Sequence, residues 1–216
     1  MREAFAEQLD RVFDDLVSIT RLVEEAVARA TKALTTGDPD LAERVISGDL
    51  TIDVAREKVE DQAFSLLMLQ QPVAGDLRTV VAALRMVSEL ERMGDLAVHV
   101  AKIARLRVPE LAVPETARPT VERMAAVAQQ MVGRTAQVIA DRDVEAAAAL
   151  AADDEEMDRL RRDSFAELLG EGWSHGVEPA VDIALLGRYY ERIADHAVSV
   201  AKRVVYVVTG QFPASV

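Results

Sequence analysis

Apolar residues recur through the first 33 residues of the chain at alternating spacings of four and three. The positions are Phe5, Leu9, Val12, Leu16, Ile19, Val23, Ala26, Ala30 and Ala33. This heptad pattern is typical of a long helix that packs one face against other helices. Glycine and proline in the following segment, TTGDPD (35–40), break the pattern, so the helix is predicted to end there.

Five further periodic segments predict five further helices. The second runs to about residue 71, the third from the break QPVAGD to about residue 107, and the fourth begins near residue 121. The fifth covers about 143–169, and the sixth follows the loop GEGWSHGVEP and reaches about residue 209. The predicted core positions on the second, third, fourth and sixth helices are Val45, Ile52, Val59, Leu66; Met86, Leu90, Met93, Ala97, Val100, Ala104; Val121, Met124, Ala128, Met131, Thr135, Val138; and Leu186, Tyr190, Ile193, Ala197, Val200, Val204.

One stretch of the third predicted helix returns in the sixth. ERMGDLAVHVAK at 91–102 recurs as ERIADHAVSVAK at 191–202, which indicates an internal repeat of about 100 residues. The segment VPELAVPETARPT between the halves contains three prolines. We therefore predict an all-α protein of six long helices in two tandem, pseudo-symmetric three-helix bundles, 1–107 and 121–216, joined by a proline-containing linker at 108–120.

Composition and charge narrow the classes of function. Half of the 216 residues are apolar and 4% are aromatic, which fits helices that pack through aliphatic side chains. A net charge of −12 argues against binding to nucleic acid or to anionic lipid headgroups. The absence of cysteine excludes disulfides and thiol chemistry. Neither a signal peptide nor an apolar run of ~20 residues is recognisable, so we expect a cytoplasmic protein without direct membrane insertion.

The repeated stretch is acidic at two positions four residues apart, which share one face of a helix. These positions lie away from the predicted core face, so the carboxylates are expected to point outward. The middle helix of each half carries a second acidic pair with the same spacing, and two adjacent helices could bring four carboxylates to one groove. The pairs are Asp49 and Asp53 with Glu91 and Asp95 in the first half, and Asp154 and Asp158 with Glu191 and Asp195 in the second.

Two interpretations of these pairs stay open on the residues alone. Like charges four residues apart destabilise a helix by roughly 0.2–0.5 kcal/mol per pair, so their repetition suggests a bound cation, and oxygen-only ligands suit magnesium, calcium, manganese or iron. Alternatively, the pairs form a solvated acidic face whose charge is offset by Arg92, Lys102, Arg192 and Lys202.

The histidines are not preserved between the two copies. His99 and His196 are therefore interpreted as ordinary, half-exposed side chains, and His175 and Trp173 are expected to cap or pack the loop at 170–179.

Catalytic signatures do not appear in the sequence. There is no phosphate-binding glycine loop, dinucleotide-binding turn, nucleophile elbow or zinc-protease motif. An ExxH di-metal motif fails because Gly94 and Ala194 occupy the third position after each glutamate. Carboxylates on a convex surface also lack the burial that tunes a pKa for acid–base catalysis. We expect no enzymatic activity.

LERMGDLAVHVAK, YERIADHAVSVAK, their DxxxD partners and the twofold three-helix plan together resemble the PhoU family. The resemblance implies a cytoplasmic negative regulator of phosphate uptake and phosphate-starvation signalling. It implies an adaptor without catalytic activity, which connects the ATPase subunit of an ABC phosphate transporter to a sensor histidine kinase. We also expect a homodimer.

The resemblance also implies metal ions at the repeated E/DxxxD motifs, with iron, zinc, manganese or magnesium as candidates. Carried over by position, the ligands are Asp49, Asp53, Glu91, Asp95, Asp154, Asp158, Glu191 and Asp195. The sequence departs from the family's IGDHA pattern at Leu96 and Ala194, which leaves the carboxylates intact. The alternatives are a carboxylate-rich metal-storage or redox protein, and a helical scaffold whose acidic pairs only solvate a face.

Overall fold

The computed structural model describes residues 2–211, which form six helices and, within that range, no strand. Met1 and residues 212–216, the end of the predicted second half, lie outside the described range. The all-α prediction is confirmed. The helices are α1 (Arg2–Thr36), α2 (Pro39–Gln70), α3 (Gly75–Arg107), α4 (Arg118–Asp141), α5 (Val144–Leu169) and α6 (Val177–Thr209).

Local capping signals account for three of the helix boundaries. The Asp38 carboxylate accepts a hydrogen bond from the Leu41 amide at 2.9 Å, directly before Pro39 opens α2. The Asp143 carboxylate accepts from the Glu145 and Ala146 amides at the start of α5. Gly210, with φ of 78°, closes α6 in the left-handed conformation that glycine tolerates best. At these three boundaries, local residues therefore satisfy free backbone groups of the helix end.

Helices α4 and α6 both begin earlier than predicted, and in both of them the first turn contains a proline. Helix α4 begins at Arg118, so Pro119 belongs to the helix and the predicted linker is shorter than 108–120. Helix α6 begins at Val177, so Pro179 also lies inside a helix. The first-turn amides have no partner within a helix, and a proline there loses no hydrogen bond.

The predicted core positions are buried, apart from Leu9 and Ala26, which are partly buried and pack against the core. The central body consists of α1, α3, α4 and α6. Helix α1 packs on α3 and α4, and α6 packs on the same two helices. Helix α2 contacts only α1 and α3, and α5 contacts only α4 and α6. The buried apolar residues of both halves consequently form one continuous cluster.

Polar contacts cross the seam between the halves, which we define as the α3–α6 contact. Arg107 at the end of α3 bonds the Asp182 carboxylate near the start of α6, at 2.6 and 3.1 Å, and also pairs with Glu178. Near the middle of the seam, Glu89 of α3 bonds His196 of α6. The two helices are therefore antiparallel.

No helix of the described chain has a stretch long and apolar enough to cross a bilayer.

Candidate functional site

The four predicted carboxylates of the first half lie along the contact between α2 and α3. The helices approach closely at Gly94, where a Cβ atom would lie 3.0 Å from Ile52 Cδ1 and 3.6 Å from Asp49 Oδ1. Asp49 interacts electrostatically with Asp53 on its own helix and with Asp95 on α3. Helix packing thus brings the two acidic pairs to one face, which we call the first carboxylate cluster (Asp49, Asp53, Glu91 and Asp95).

Burial and mutual repulsion oppose ionisation of two members of this cluster, Asp49 and Glu91. Partial burial raises the pKa of Asp49, repulsion from Asp95 and Asp53 raises it further, and Lys102 opposes both effects. The pKa of Glu91 is raised first by burial and then by repulsion from Asp95. A cation at this face would relieve the repulsion.

The second carboxylate cluster (Asp154, Asp158, Glu191 and Asp195) repeats the arrangement between α5 and α6. Burial, followed by repulsion from Asp195 and Asp158, raises the pKa of Asp154 to about 6. The pKa of Asp195 is also raised, by burial and then by Glu191. Both halves therefore assemble the carboxylates that the sequence pattern paired.

The position of Glu191 corrects the expectation that the carboxylates point outward. Its side chain is buried, with 7% of the residue exposed. Arg161 of α5 donates to Glu191 Oε1 at 2.8 Å, and Arg188 donates to the other oxygen. Two arginines therefore neutralise a buried carboxylate that the helical periodicity alone assigned to the surface.

Sequence analysis missed a third repeated residue in the middle helices. Arg56 follows Asp53 by three positions, as Arg161 follows Asp158, so both helices contain DxxxDxxR. Arg56 bonds Glu60 at 2.6 Å, on its own helix. The position four residues after Arg161 is Phe165, which offers an aromatic ring and no carboxylate. Aligning the two middle helices would have found this arginine.

The histidines require one further correction. His196, predicted to be half-exposed, is buried, with its Nδ1 atom 2.6 Å from Glu89 Oε2 across the seam. This hydrogen bond lowers the pKa of Glu89. His99 is exposed and stacks on Tyr189 of the other half, with ring centroids 5.3 Å apart. The seam, which the periodicity did not reveal, determines both environments.

The loop residues do pack as expected. The Trp173 indole donates to the Gly176 carbonyl at 2.7 Å, directly before α6 begins. The His175 ring bonds the Thr116 hydroxyl at 3.0 Å and meets the Trp173 ring edge-on. These contacts hold the loop at 170–176 against the start of α6 and against the segment before α4.

The chemistry of the donor atoms suits a hard cation, since carboxylate oxygens are the ligands such cations prefer. The side chains are not arranged as a complete metal site. Among residues 2–211, no group of three or more aspartate, glutamate or histidine side chains is arranged so that it could hold a metal ion. In the second cluster, Glu191 is engaged by Arg161 and Arg188. Metal binding therefore stays a prediction at both clusters.

The chain is similar to known proteins over nearly its whole length. A family model described as the PhoU domain matches it twice, over residues 16–104 and 121–204. The chain is 46% identical over 213 residues to phosphate-specific transport system accessory protein PhoU homolog 2 of Mycobacterium tuberculosis, with 99% of this chain and 100% of that protein covered. It is 45% identical to homolog 1 of Mycobacterium leprae, with 99% of this chain and 96% of that protein covered.

Solved structures agree with the fold described above. The crystal structure of PhoU from Pseudomonas aeruginosa superimposes with a TM-score of 0.87 at 28% identity, covering 96% of this chain and 100% of that chain. The phosphate transport system regulatory protein PhoU from Streptococcus pneumoniae superimposes with a TM-score of 0.88 at 25% identity, covering 98% and 100%. Both halves, and their relative placement, are therefore shared with these proteins.

Proposed function

Because this chain belongs to the PhoU family, we propose that it is an accessory protein of a phosphate-specific transport system and a negative regulator of phosphate uptake and phosphate-starvation signalling. The observation that carries the proposal is the extent of the match to its relatives. The family model covers both halves, and the relative from Mycobacterium tuberculosis is matched over its full length.

We further propose that the protein is a cytoplasmic adaptor, without catalytic activity, which binds the ATPase subunit of the transporter and a sensor histidine kinase and which forms a homodimer. The duplicated body supports this role because it presents related surfaces on two halves held together by one core. The net charge of −12 favours partners with basic surfaces, since complementary charge accelerates and orients association. Regulation requires that a partner bind differently at high and low phosphate.

Gene deletion tests the regulatory proposal. Relatives named homolog 1 and homolog 2 both occur in Mycobacterium tuberculosis, so every copy in the host must be removed. A phosphate-starvation reporter measured in high phosphate should then be derepressed, and the wild-type gene should restore repression. A reporter that stays off after removal of all copies would show that the protein is not a negative regulator.

A cation at the carboxylate clusters is a second part of the proposal. Asp49, Asp53, Glu91 and Asp95 would hold it in the first half, where Arg56 is engaged elsewhere by Glu60. Asp154, Asp158, Glu191 and Asp195 would do so in the second half if Glu191 were released from its arginines. The ion would neutralise repulsion between α2 and α3, or between α5 and α6, and so stiffen the face that a partner meets.

Elemental analysis of protein purified without chelators tests this part, followed by calorimetric titration with Mn²⁺. The E91Q and D95N double variant should lose metal, and the E191Q and D195N double variant reports on the second half. Wild-type protein that contains no metal and gives no binding heat would rule the cation out. Metal-dependent turnover by the purified protein would instead favour the alternative of a metal-storage or redox protein.

A further inference from the structure

The repeated glutamate has different partners in the two carboxylate clusters. Glu91 of α3 and Glu191 of α6 occupy the same position in the repeat. Glu191 is buried and accepts hydrogen bonds from Arg161 of α5, at 2.8 Å, and from Arg188 of its own helix. Within residues 2–211, by contrast, neither an arginine nor a lysine forms an ion pair with Glu91. The same glutamate is therefore neutralised from within the protein in the second half and not in the first.

In the first half, the arginine of the middle helix is drawn to its own helix. Arg56 lies close enough to Glu91 for the two charges to interact. Its Nη1 atom nevertheless donates to Glu60 Oε2 at 2.6 Å, and its Nη2 atom lies 3.7 Å from Glu57 Oε1. Residues four apart on a helix are neighbours, so Glu60 reaches Arg56 without any change in how α2 packs. Both acidic neighbours thus compete with Glu91 for this arginine.

The second half lacks these competing carboxylates. In the 105-residue register that relates α2 to α5, Phe165 takes the place of Glu60, and Arg162 takes the place of the other acidic neighbour. The guanidinium carbon of Arg161 lies 5.5 Å from the centre of the Phe165 ring. An aromatic ring can hold a guanidinium group but does not neutralise its charge. Arg161 consequently keeps its charge for Glu191.

The second arginine at Glu191 is also specific to the second half. Arg188 precedes Glu191 by three positions, and the equivalent residue of α3 is Ser88, which is exposed and uncharged. The charge of Arg188 extends further into the cluster. Burial and repulsion from Glu191 raise the pKa of Asp195, and Arg188 opposes both effects. Two guanidinium groups therefore act on the second cluster, and the first has no counterpart of Arg188.

These differences decide how an added cation would fare at each cluster. In the second cluster, a metal ion would approach two groups of like charge. Taking Glu191 as a ligand would also separate a buried carboxylate from both of its arginines, which is costly. In the first cluster, none of the four carboxylates forms an ion pair with a residue in the range 2–211. A cation there would relieve repulsion without breaking an ion pair.

We propose that the second carboxylate cluster is closed to metal ions by its own arginines, and that of the two clusters only the first can accept a divalent cation. Glu60 and Phe165 determine this difference, together with Ser88 and Arg188. That a cation binds at all rests on the proposed function, whereas the role of the two arginines as counter-ions of Glu191 does not.

Double-mutant cycles in urea, with a chelator present, test the counter-ions without any metal. R161M, E191Q and their double variant measure the coupling in the second half, and R56M, E91Q and their double variant measure it in the first. In the equilibrium constant of unfolding, we expect a coupling of about tenfold or more in the second half, because Glu191 is buried. The coupling in the first half should be less than about threefold.

Titration with Mn²⁺, followed by the electron paramagnetic resonance signal of the free ion, tests which cluster accepts a cation. The wild type should bind at one cluster, and the E91Q and D95N double variant should lose this binding. The E191Q and D195N double variant should keep it. The exchange of F165E with R188S gives the second half the residues of the first and should add binding that E191Q and D195N remove.

The reverse exchange and a matched control complete the test. E60F with S88R should weaken Mn²⁺ binding at the first cluster at least about tenfold, because Arg56 then turns to Glu91. L169E adds the same charge as F165E four residues later on α5, at a side chain that is 85% exposed, and should add no binding. Circular dichroism verifies that each variant folds.

Wild-type protein that loses Mn²⁺ on introduction of E191Q and D195N would overturn the proposal. So would equal coupling in the two halves, or no added binding after F165E with R188S in a protein whose first cluster binds. Wild-type protein that binds no Mn²⁺ would remove the cation from the proposed function. The cycles would then decide the counter-ions alone: strong coupling confined to Arg161 and Glu191 retains them, and weak coupling overturns them.

Discussion

At the scale of single residues, Gly94 shows how a neighbouring helix limits a substitution that its own helix would favour. Alanine stabilises a helix interior by up to ~1 kcal/mol relative to glycine. At Gly94, however, the added Cβ would lie 3.0 Å from Ile52 Cδ1, and overpacking costs about 1–3 kcal/mol. We expect G94A to lower the free energy of unfolding in urea by about 1 kcal/mol, and I52V, which removes the obstructing methyl group, to restore it in the double variant.

Gly48 is the matched control for this prediction. A Cβ atom there would meet no atom within 4 Å, although Gly48 also lies inside a helix. G48A should therefore stabilise the protein by up to ~1 kcal/mol. A gain of the same size for G94A would show that the contact with Ile52 does not constrain α2 and α3.

Asp154 leads to a pH-dependent prediction at the same scale. The pKa of its carboxyl group is about 6 in the folded protein and 3.8 in the unfolded chain, so the folded state binds more protons between these pH values. The stability that this group contributes is complete below pH 3.8 and is lost as the pH rises through 6. Because the side chain is only partly buried, solvent screening reduces the loss to about 1 kcal/mol.

The D154N variant should thus be about 1 kcal/mol more stable than the wild type at pH 7, about half as much more stable at pH 5 and nearly equal to it at pH 3.8, in urea unfolding with a chelator present. The neighbouring Asp153 is the control, because its carboxylate pairs with Arg134. D153N should lose stability at pH 7, by less than about 1 kcal/mol. A loss at pH 7 for D154N as well would contradict the repulsion inferred in the second cluster.

At the scale of elements, Arg107 contributes to the stability of the seam between α3 and α6. Asp182 is buried, and Arg107 provides both of its side-chain hydrogen bonds. R107M would leave this carboxylate buried without its partner, so we expect a loss of about 3 kcal/mol in the free energy of unfolding.

Arg105, two residues earlier on α3, is the control for the seam. It pairs with Glu43, and both side chains are about half exposed. R105M should therefore cost less than about 1 kcal/mol. Similar losses for the two variants would indicate that the Arg107 contact is as weak as a surface pair.

At the scale of the whole molecule, the continuous core predicts that the two halves unfold together. Helices α1 and α3 bury apolar faces against α4 and α6, and separating the halves would expose them. Differential scanning calorimetry should show one transition, with equal calorimetric and van't Hoff enthalpies. Two resolved transitions would mean that each half is an independent folding unit.

The sequence predicted the helices and their core faces because both depend on local signals. The spacing of Val45, Ile52 and Val59 marks a buried stripe wherever the helix packs, and Asp38 and Asp143 cap their helices through amides three residues away or fewer. The pairing of Asp49 with Asp95, and of Asp154 with Asp195, was also predictable, since adjacent helices of a repeated unit pack alike. The repetition of Arg56 and Arg161 is visible in the sequence as well.

Only the tertiary structure decided which side chains are buried where the two halves pack on each other. His196 and Leu96 are equivalent in the repeat, yet His196 is buried against Glu89 because α6 packs on α3. Glu191 lies on a face that its own helix would leave to water, and it is buried because Arg161 reaches it from α5. Periodicity describes one helix at a time, whereas burial depends on every helix around it. The sequence by itself therefore determined the helices and the duplicated acidic motifs, and the packing of the two halves decided which of the repeated side chains stay exposed.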